Sequence, residues 1–259
     1  MIELGCNYSL ELMCLIKSDR VKIDWIKLSK EHQFHEQFVS VNKLRPALLH
    51  FVPCITSTSF PEGWNAETLN KAIEKCKSPH IALHMRANRR DLKLPLSQKE
   101  FLNSVVELIE EKKLSYCKEI LVENMPSTCL PSGYEALADP EFIKVVCEIC
   151  DIGICLDVAH AEISAFHRNE SIEEYINKLP LHRVKEIHLS NPQEINGELK
   201  DTHESLNERN YEFLLSILEK TSPRIVTLEY GGEGSDYNGK SDILKIENQL
   251  NRLTQIINK

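Results

Sequence analysis

Short apolar runs recur along the chain, each followed by a stretch whose apolar residues return at helical spacing. The runs predict strands at 2–7, 24–29, 46–51, 80–86, 119–124, 153–158, 184–190 and 224–230. Helical stretches follow near Leu10, Phe34, Ala66, Gln98, Pro140, Ser171, Arg209 and Ser241. Runs such as "EILVEN" (119–124) and "RIVTLEY" (224–230) are mostly apolar rather than strictly alternating, as expected of parallel strands covered on both faces. Eight strand–helix pairs in succession predict an α/β protein, a (β/α)8 TIM barrel that takes up residues 1–259 as a single domain. The competing architecture, an open doubly wound sheet, usually carries a Gly-rich first turn, and "GCNYSLEL" contains no G-x-G-x-x-G.

Composition narrows the class further. The chain has 42% hydrophobic and 27% charged residues, which suits a folded globular protein. Its apolar stretches fall short of the roughly 20 residues that span a bilayer. The N-terminus "MIELGCNYSLELMCLIK" carries an acid at position 3 and lacks a basic segment ahead of an apolar one, so a cytoplasmic location is expected. Nine cysteines scatter through apolar segments in odd number, a pattern of reduced core thiols rather than of a disulfide framework. A formal charge of -8 argues against a nonspecific polyanion binder.

The polar residues at the strand ends change the picture. In a barrel of this type the active site lies at the C-terminal ends of the strands, and here those positions carry metal-ligand side chains. They are His50 in "LLH", His84 in "ALH", Glu123 in "LVEN", Asp157 and His160 in "ICLDVAHAEI", His188 in "EIHLS", Asp201 and His203 in the "KDTHE" loop after strand 7, and Glu229 in "TLEY". A lone polar residue at a strand end is usually a cap or a hydrogen-bonded core group. Five imidazoles and four carboxylates from six consecutive strands would be a costly excess of polar groups without cations to coordinate them. The set has no obvious thiolate, which favours Fe, Mn or Zn over a structural Cys-type zinc site, and the imidazoles argue against Mg or Ca alone. Nine ligands exceed one ion's needs, so two or three transition-metal ions are expected, with Glu123 and Glu229 placed to bridge.

These residues resemble the xylose-isomerase-like TIM-barrel superfamily, whose members include sugar isomerases and epimerases, endonuclease IV and the multinuclear iron-dependent enzymes that oxidatively modify peptide cysteines. The Glu–Asp–His–Glu core of the epimerases corresponds to Glu123, Asp157, His188 and Glu229, and the trinuclear zinc pattern of endonuclease IV would add His50, His84, His160, Asp201 and His203. Over the longest tract the sequence is similar to the peptide-modifying iron enzymes. "VENMPSTCLPSGYEALADPEFIKVVCEICDIGICLDV" and "YINKLPLHRVKEIHLSNP" match their E-N-x-S-S-Y, L-L-D-V-N-N and L-P-L-x-R-V-x-E-I-H-L-A-G-H segments. The sequence departs from that pattern at His160, where the family usually has Asn, at Pro192, where it has a second His, and at Tyr230–Gly231, where it has W-D.

The resemblance implies iron as the first metal, a cysteine-containing peptide or small molecule as substrate, and a partner protein that presents the peptide. Two other chemistries stay open. A sugar or sugar-phosphate isomerase would use Glu123 or Glu229 to move a proton beside a metal-polarised carbonyl. A zinc phosphodiesterase would activate water on clustered ions, but the strand-end loops lack interleaved basic and aromatic residues, and DNA is not the expected partner. "RANRRD" contributes Arg86 and Arg89 as candidates to bind a substrate carboxylate or phosphate, and "YGGEG" contributes Gly231 and Gly232 where barrel enzymes often bind phosphate. Cys147 and Cys150 in "CEIC" are expected on a helix as packing residues.

Overall fold

A computed structural model describes residues 1–28, 31–50, 66–86, 96–232 and 241–258. In chain order the elements are β1 (Glu3–Asn7), α1 (Leu10–Lys17), β2 (Trp25–Leu28), α2 (Glu31–Asn42), β3 (Ala47–Leu49), α3 (Ala66–Cys76), β4 (His80–His84), α4 (Gln98–Ser115), β5 (Glu119–Glu123), α5 (Pro140–Cys150), β6 (Gly153–Asp157), α6 (Val158–His167), α7 (Ile172–Lys178), β7 (Val184–Leu189), β8 (Asn191–Ile195), β9 (Glu198–Glu204), α8 (Glu208–Leu218), β10 (Ile225–Leu228) and α9 (Ile243–Ile257). No described helix is long and apolar enough to cross a membrane.

The chain divides into two compact units. One holds Met1–Phe51, Cys76–Ser78 and Lys185–Lys259, the other Val52–Lys75 and Pro79–Val184. In the first, parallel strands run in the order β3-β2-β1-β10-β7. In the second, β4, β5 and β6 pair in parallel, with His84 level with Glu123 and Glu123 level with Cys155.

Strand periodicity explains where the core ends and the polar residues begin. Side chains two apart on a strand share a face. In the first unit Trp25, Leu48 and Ile225 form one buried apolar cluster, and two residues further along the same strands stand Lys27, His50 and Thr227. In the second unit Ala82, Leu121 and Cys155 form the corresponding cluster, and two residues further stand His84, Glu123 and Asp157. In each unit an apolar layer thus lies beneath a layer of titratable or hydrogen-bonding groups.

The structure corrects two sequence expectations. Asp201 and His203 do not lie in a loop: β8 and β9 form an antiparallel hairpin that carries both on β9. Its two-residue turn is Asn196–Gly197, both at positive φ (56° and 77°), the turn whose twist matches that of the flanking strands. His160, read from the sequence as a strand-end residue, lies beyond the strand. It sits in the first turn of α6, which starts directly after β6 with Asp157 as its N-cap, the carboxylate accepting the His160 N–H at 2.7 Å.

Candidate metal centre

In the second unit, Glu123 ends β5 and Asp157 ends β6, and both are almost fully buried. Asn124 locks these strand ends together. Its Nδ2 donates to the Asp157 carbonyl at 2.8 Å, and its Oδ1 accepts the Asp157 N–H at 2.9 Å. Because one Asp157 oxygen caps α6, the carboxylate is held in one orientation. His160 Nδ1 lies 2.9 Å from the Asn124 carbonyl, 3.5 Å from Glu123 Oε1 and 3.7 Å from Asp157 Oδ2. His84 approaches the other Glu123 oxygen at 3.7 Å. Glu123, Asp157 and His160 offer ligand atoms that all lie within 4.8 Å of one another.

In the first unit, His50, His188 and Glu229 form a second set within the same limit. His50 follows β3, and its ring meets that of His188 edge to face at 4.9 Å. His188 Nδ1 is 3.3 Å from Glu229 Oε1, while its Nε2 is 3.1 Å from Glu186 Oε1. The buried Glu186 carboxylate on Nε2 orients the ring so that Nδ1 faces Glu229. Glu186 is itself fixed by Thr227, whose hydroxyl donates to the same Oε1 at 2.6 Å. Thr227 needs a glycine across the ladder, because a Cβ on Gly5 would fall 2.8 Å from the Thr227 hydroxyl oxygen.

The hairpin brings two more groups to Glu229. His203 Nε2 is 3.7 Å from Glu229 Oε2, and His203 Nδ1 is 3.4 Å from Asp201 Oδ1. The β8–β9 register shifts between Asn191 and Gln193, opposite residues 200–204, and His203 has φ 51°. Such a bulge re-aims side chains that a regular ladder would point elsewhere. Lys27 on β2 is buried and donates its ammonium to Glu229 Oε1. Burial alone would raise the Glu229 pKa, but Lys27, His188, His203 and His50 together hold it well below the ordinary carboxylate value.

Both sets carry the donors of a transition-metal site, with ligand atoms within 4.8 Å of one another. Bonds of about 2.1 Å put ligand atoms roughly 3–4 Å apart around one ion, and mixed imidazole–carboxylate donors suit Fe, Mn or Zn. Glu186, Thr227 and Lys27 escaped the sequence reading. Their signal was the period-2 register, which puts Lys27 on the Trp25 face and Glu186 on the His188 face. Arg86 is exposed just past β4, and Arg89 lies outside the described residues. Gly231 and Gly232 follow β10 at positive φ (83° and 152°), and the Gly231 carbonyl accepts from Asn7 Nδ2 at 3.4 Å. Cys147 and Cys150 are buried on α5, where burial pushes their thiols up to about 12 and about 11. The cysteines among the described residues are free thiols.

The two imidazole–carboxylate sets stand at or just beyond strand ends, and structural comparison shows a TIM-barrel fold. The IolI protein with a binding zinc atom has a TM-score of 0.64 at 11% identity, covering 98% of this chain and 96% of that one. Endonuclease IV from Thermus thermophilus has a TM-score of 0.54 at 13% identity, covering 97% and 99%. Within this class the chain belongs to the family of the RiPP precursor modification enzyme MbnB/TglH/ChrH, whose model matches residues 3–245. A UPF0276 protein of Paraburkholderia phytofirmans is 28% identical over 207 residues, 74% of this chain. The match spans 66% of that relative's length.

Proposed function

We propose that this chain is an iron-dependent oxidative enzyme that acts on a cysteine-containing peptide, with residues 1–259 working as one domain. The observation that carries the reading is the pair of imidazole–carboxylate sets, the buried Glu123–Asp157–His160 and His50–His188–Glu229, in which His50 alone is half-buried. Membership of a family of RiPP precursor modification enzymes supports a peptide as substrate. When bound, two or three iron ions would supply the dioxygen and electron-transfer chemistry that side chains lack.

The protein's own groups hold, orient and exchange protons. Glu186 fixes the His188 ring, and the Asn124 clasp fixes Asp157. Glu229, kept ionised by its cationic neighbours, is a weak base and serves as a ligand. Glu123, flanked by His84 and His160, is the carboxylate suited to take the proton of an entering thiol. Arg86 and Arg89 are candidates to bind the peptide's acidic groups, the backbone of Gly231 and Gly232 is a separate candidate, and a partner protein would present the peptide.

The test is dioxygen uptake and peptide mass spectrometry with Fe(II)-loaded protein and a panel of cysteine-containing peptides. Oxygen uptake coupled to a mass change, absent from the Cys→Ser peptides, is the expected result. Cleavage of abasic-site DNA by the zinc-loaded protein, or sugar epimerisation, with no oxygen-dependent change in any peptide would contradict the proposal.

A further inference from the structure

Lys27 is an unusual neighbour for a metal ligand. It is 1% exposed, its ammonium bonds Glu229 Oε1, and it lies 3.5 Å from His188 Nε2. A buried ammonium is retained only where a carboxylate offsets the loss of water. The Glu229 oxygen that does so is also the one 3.3 Å from His188 Nδ1, within the His50–His188–Glu229 set. The carboxylate an ion would use therefore already holds a cation.

We propose that Lys27 is a built-in counter-cation that makes the His50–His188–Glu229 set a weakly holding, exchangeable metal site. The inference rests on reading these three residues as ligands. Without an ion the ammonium holds Glu229 in place and keeps the ligand set assembled. An ion that enters must share the Glu229 carboxylate with Lys27, which holds Oε1, and sit beside a buried positive charge, where repulsion is far stronger than in water. Glu229 is the one carboxylate within the set, Glu186 reaching it through the His188 ring, whereas Glu123 and Asp157 bring two to the other set. Loading is therefore ordered: the Asp157-dependent ion binds first and firmly, and the His188-dependent ion binds last and leaves readily.

The experiment is equilibrium dialysis of the metal-free full chain against Mn(II). Wild type should show a weak class of binding that His188→Ala removes. Lys27→Met should tighten that class by at least about tenfold, and Lys27→Arg, which keeps the charge, should not. A Lys27→Met protein that folds by circular dichroism and binds Mn(II) no more tightly than wild type would overturn the proposal. Should Lys27→Met not fold, wild type decides: dialysis against metal-free buffer should strip the His188-dependent ion and spare the Asp157-dependent one. Equal retention of both overturns the proposal, whereas no Mn(II) binding by any protein overturns the metal reading beneath it.

Discussion

Replacing Glu186 with Gln tests whether the His188 ring is oriented from behind. Glu186 Oε1 takes the Thr227 hydroxyl at 2.6 Å and faces His188 Nε2 at 3.1 Å, all three side chains being buried. Gln keeps the shape but removes the charge, and its amide can turn a donor toward the ring, so His188 loses the partner that orients its ring toward Glu229. Loss of such a partner typically lowers metal affinity by roughly 10 to 100-fold, which is about 1.4–2.7 kcal/mol. Stability of the metal-free protein should change less, by about 1 kcal/mol, because a lost charge-assisted bond is partly offset by no longer burying a charge. Gly5→Ala should act in the same direction, since the new Cβ displaces the Thr227 hydroxyl. The assay is Zn(II) binding in competition with a chromogenic chelator, with folding followed by circular dichroism. A folded Glu186→Gln protein that binds Zn(II) with unchanged affinity would refute the orienting role.

Three other outcomes are expected. Since its neighbours depress the Glu229 pKa in the folded protein, the ion cluster contributes stability in full above the unfolded carboxylate value near about 4.3 and loses it as pH falls through the lower folded value. Thermal melts of the metal-free protein between neutral and acid pH should show this decline, and Glu229→Gln should flatten it. Ala at both Cys147 and Cys150 should cost about 2 kcal/mol by leaving cavities around α5 while metal content by elemental analysis stays the same. Gly197→Val puts a β-branched residue at φ 77°, which should cost about 1–2 kcal/mol and loosen the hairpin, seen as faster amide exchange across 198–204.

Strand positions and most ligand candidates were legible because each is a polar residue that ends an apolar run. His84, Glu123 and Asp157 are the last residues of β4, β5 and β6, and although Asp157 also caps α6, capping does not account for His84 and Glu123. Lys27 was not legible in the same way. In "DWIKLS" a lysine reads as a solvated position, and the carboxylate that lets it be buried is 202 residues away along the chain. Glu186 was hidden for a related reason, since its partner Thr227 comes from β10, the strand paired with β7. The hairpin did carry a local signal, "INGE" at 195–198, where Asn-Gly favours a two-residue turn. His203 reaches Glu229 through a register shift that only the paired strands reveal.

Iron stoichiometry at saturating Fe(II), measured anaerobically by equilibrium dialysis and elemental analysis on wild type, Asp157→Asn and His188→Ala, bears most directly on the two proposed ligand sets. Two to three irons per chain are expected in wild type, with each variant folded and short of about one ion, because Asp157 and His188 belong to different ligand sets. A single iron in wild type that both variants abolish would contradict separate ions at the two sets, and the oxidative reading built on them would fall with it.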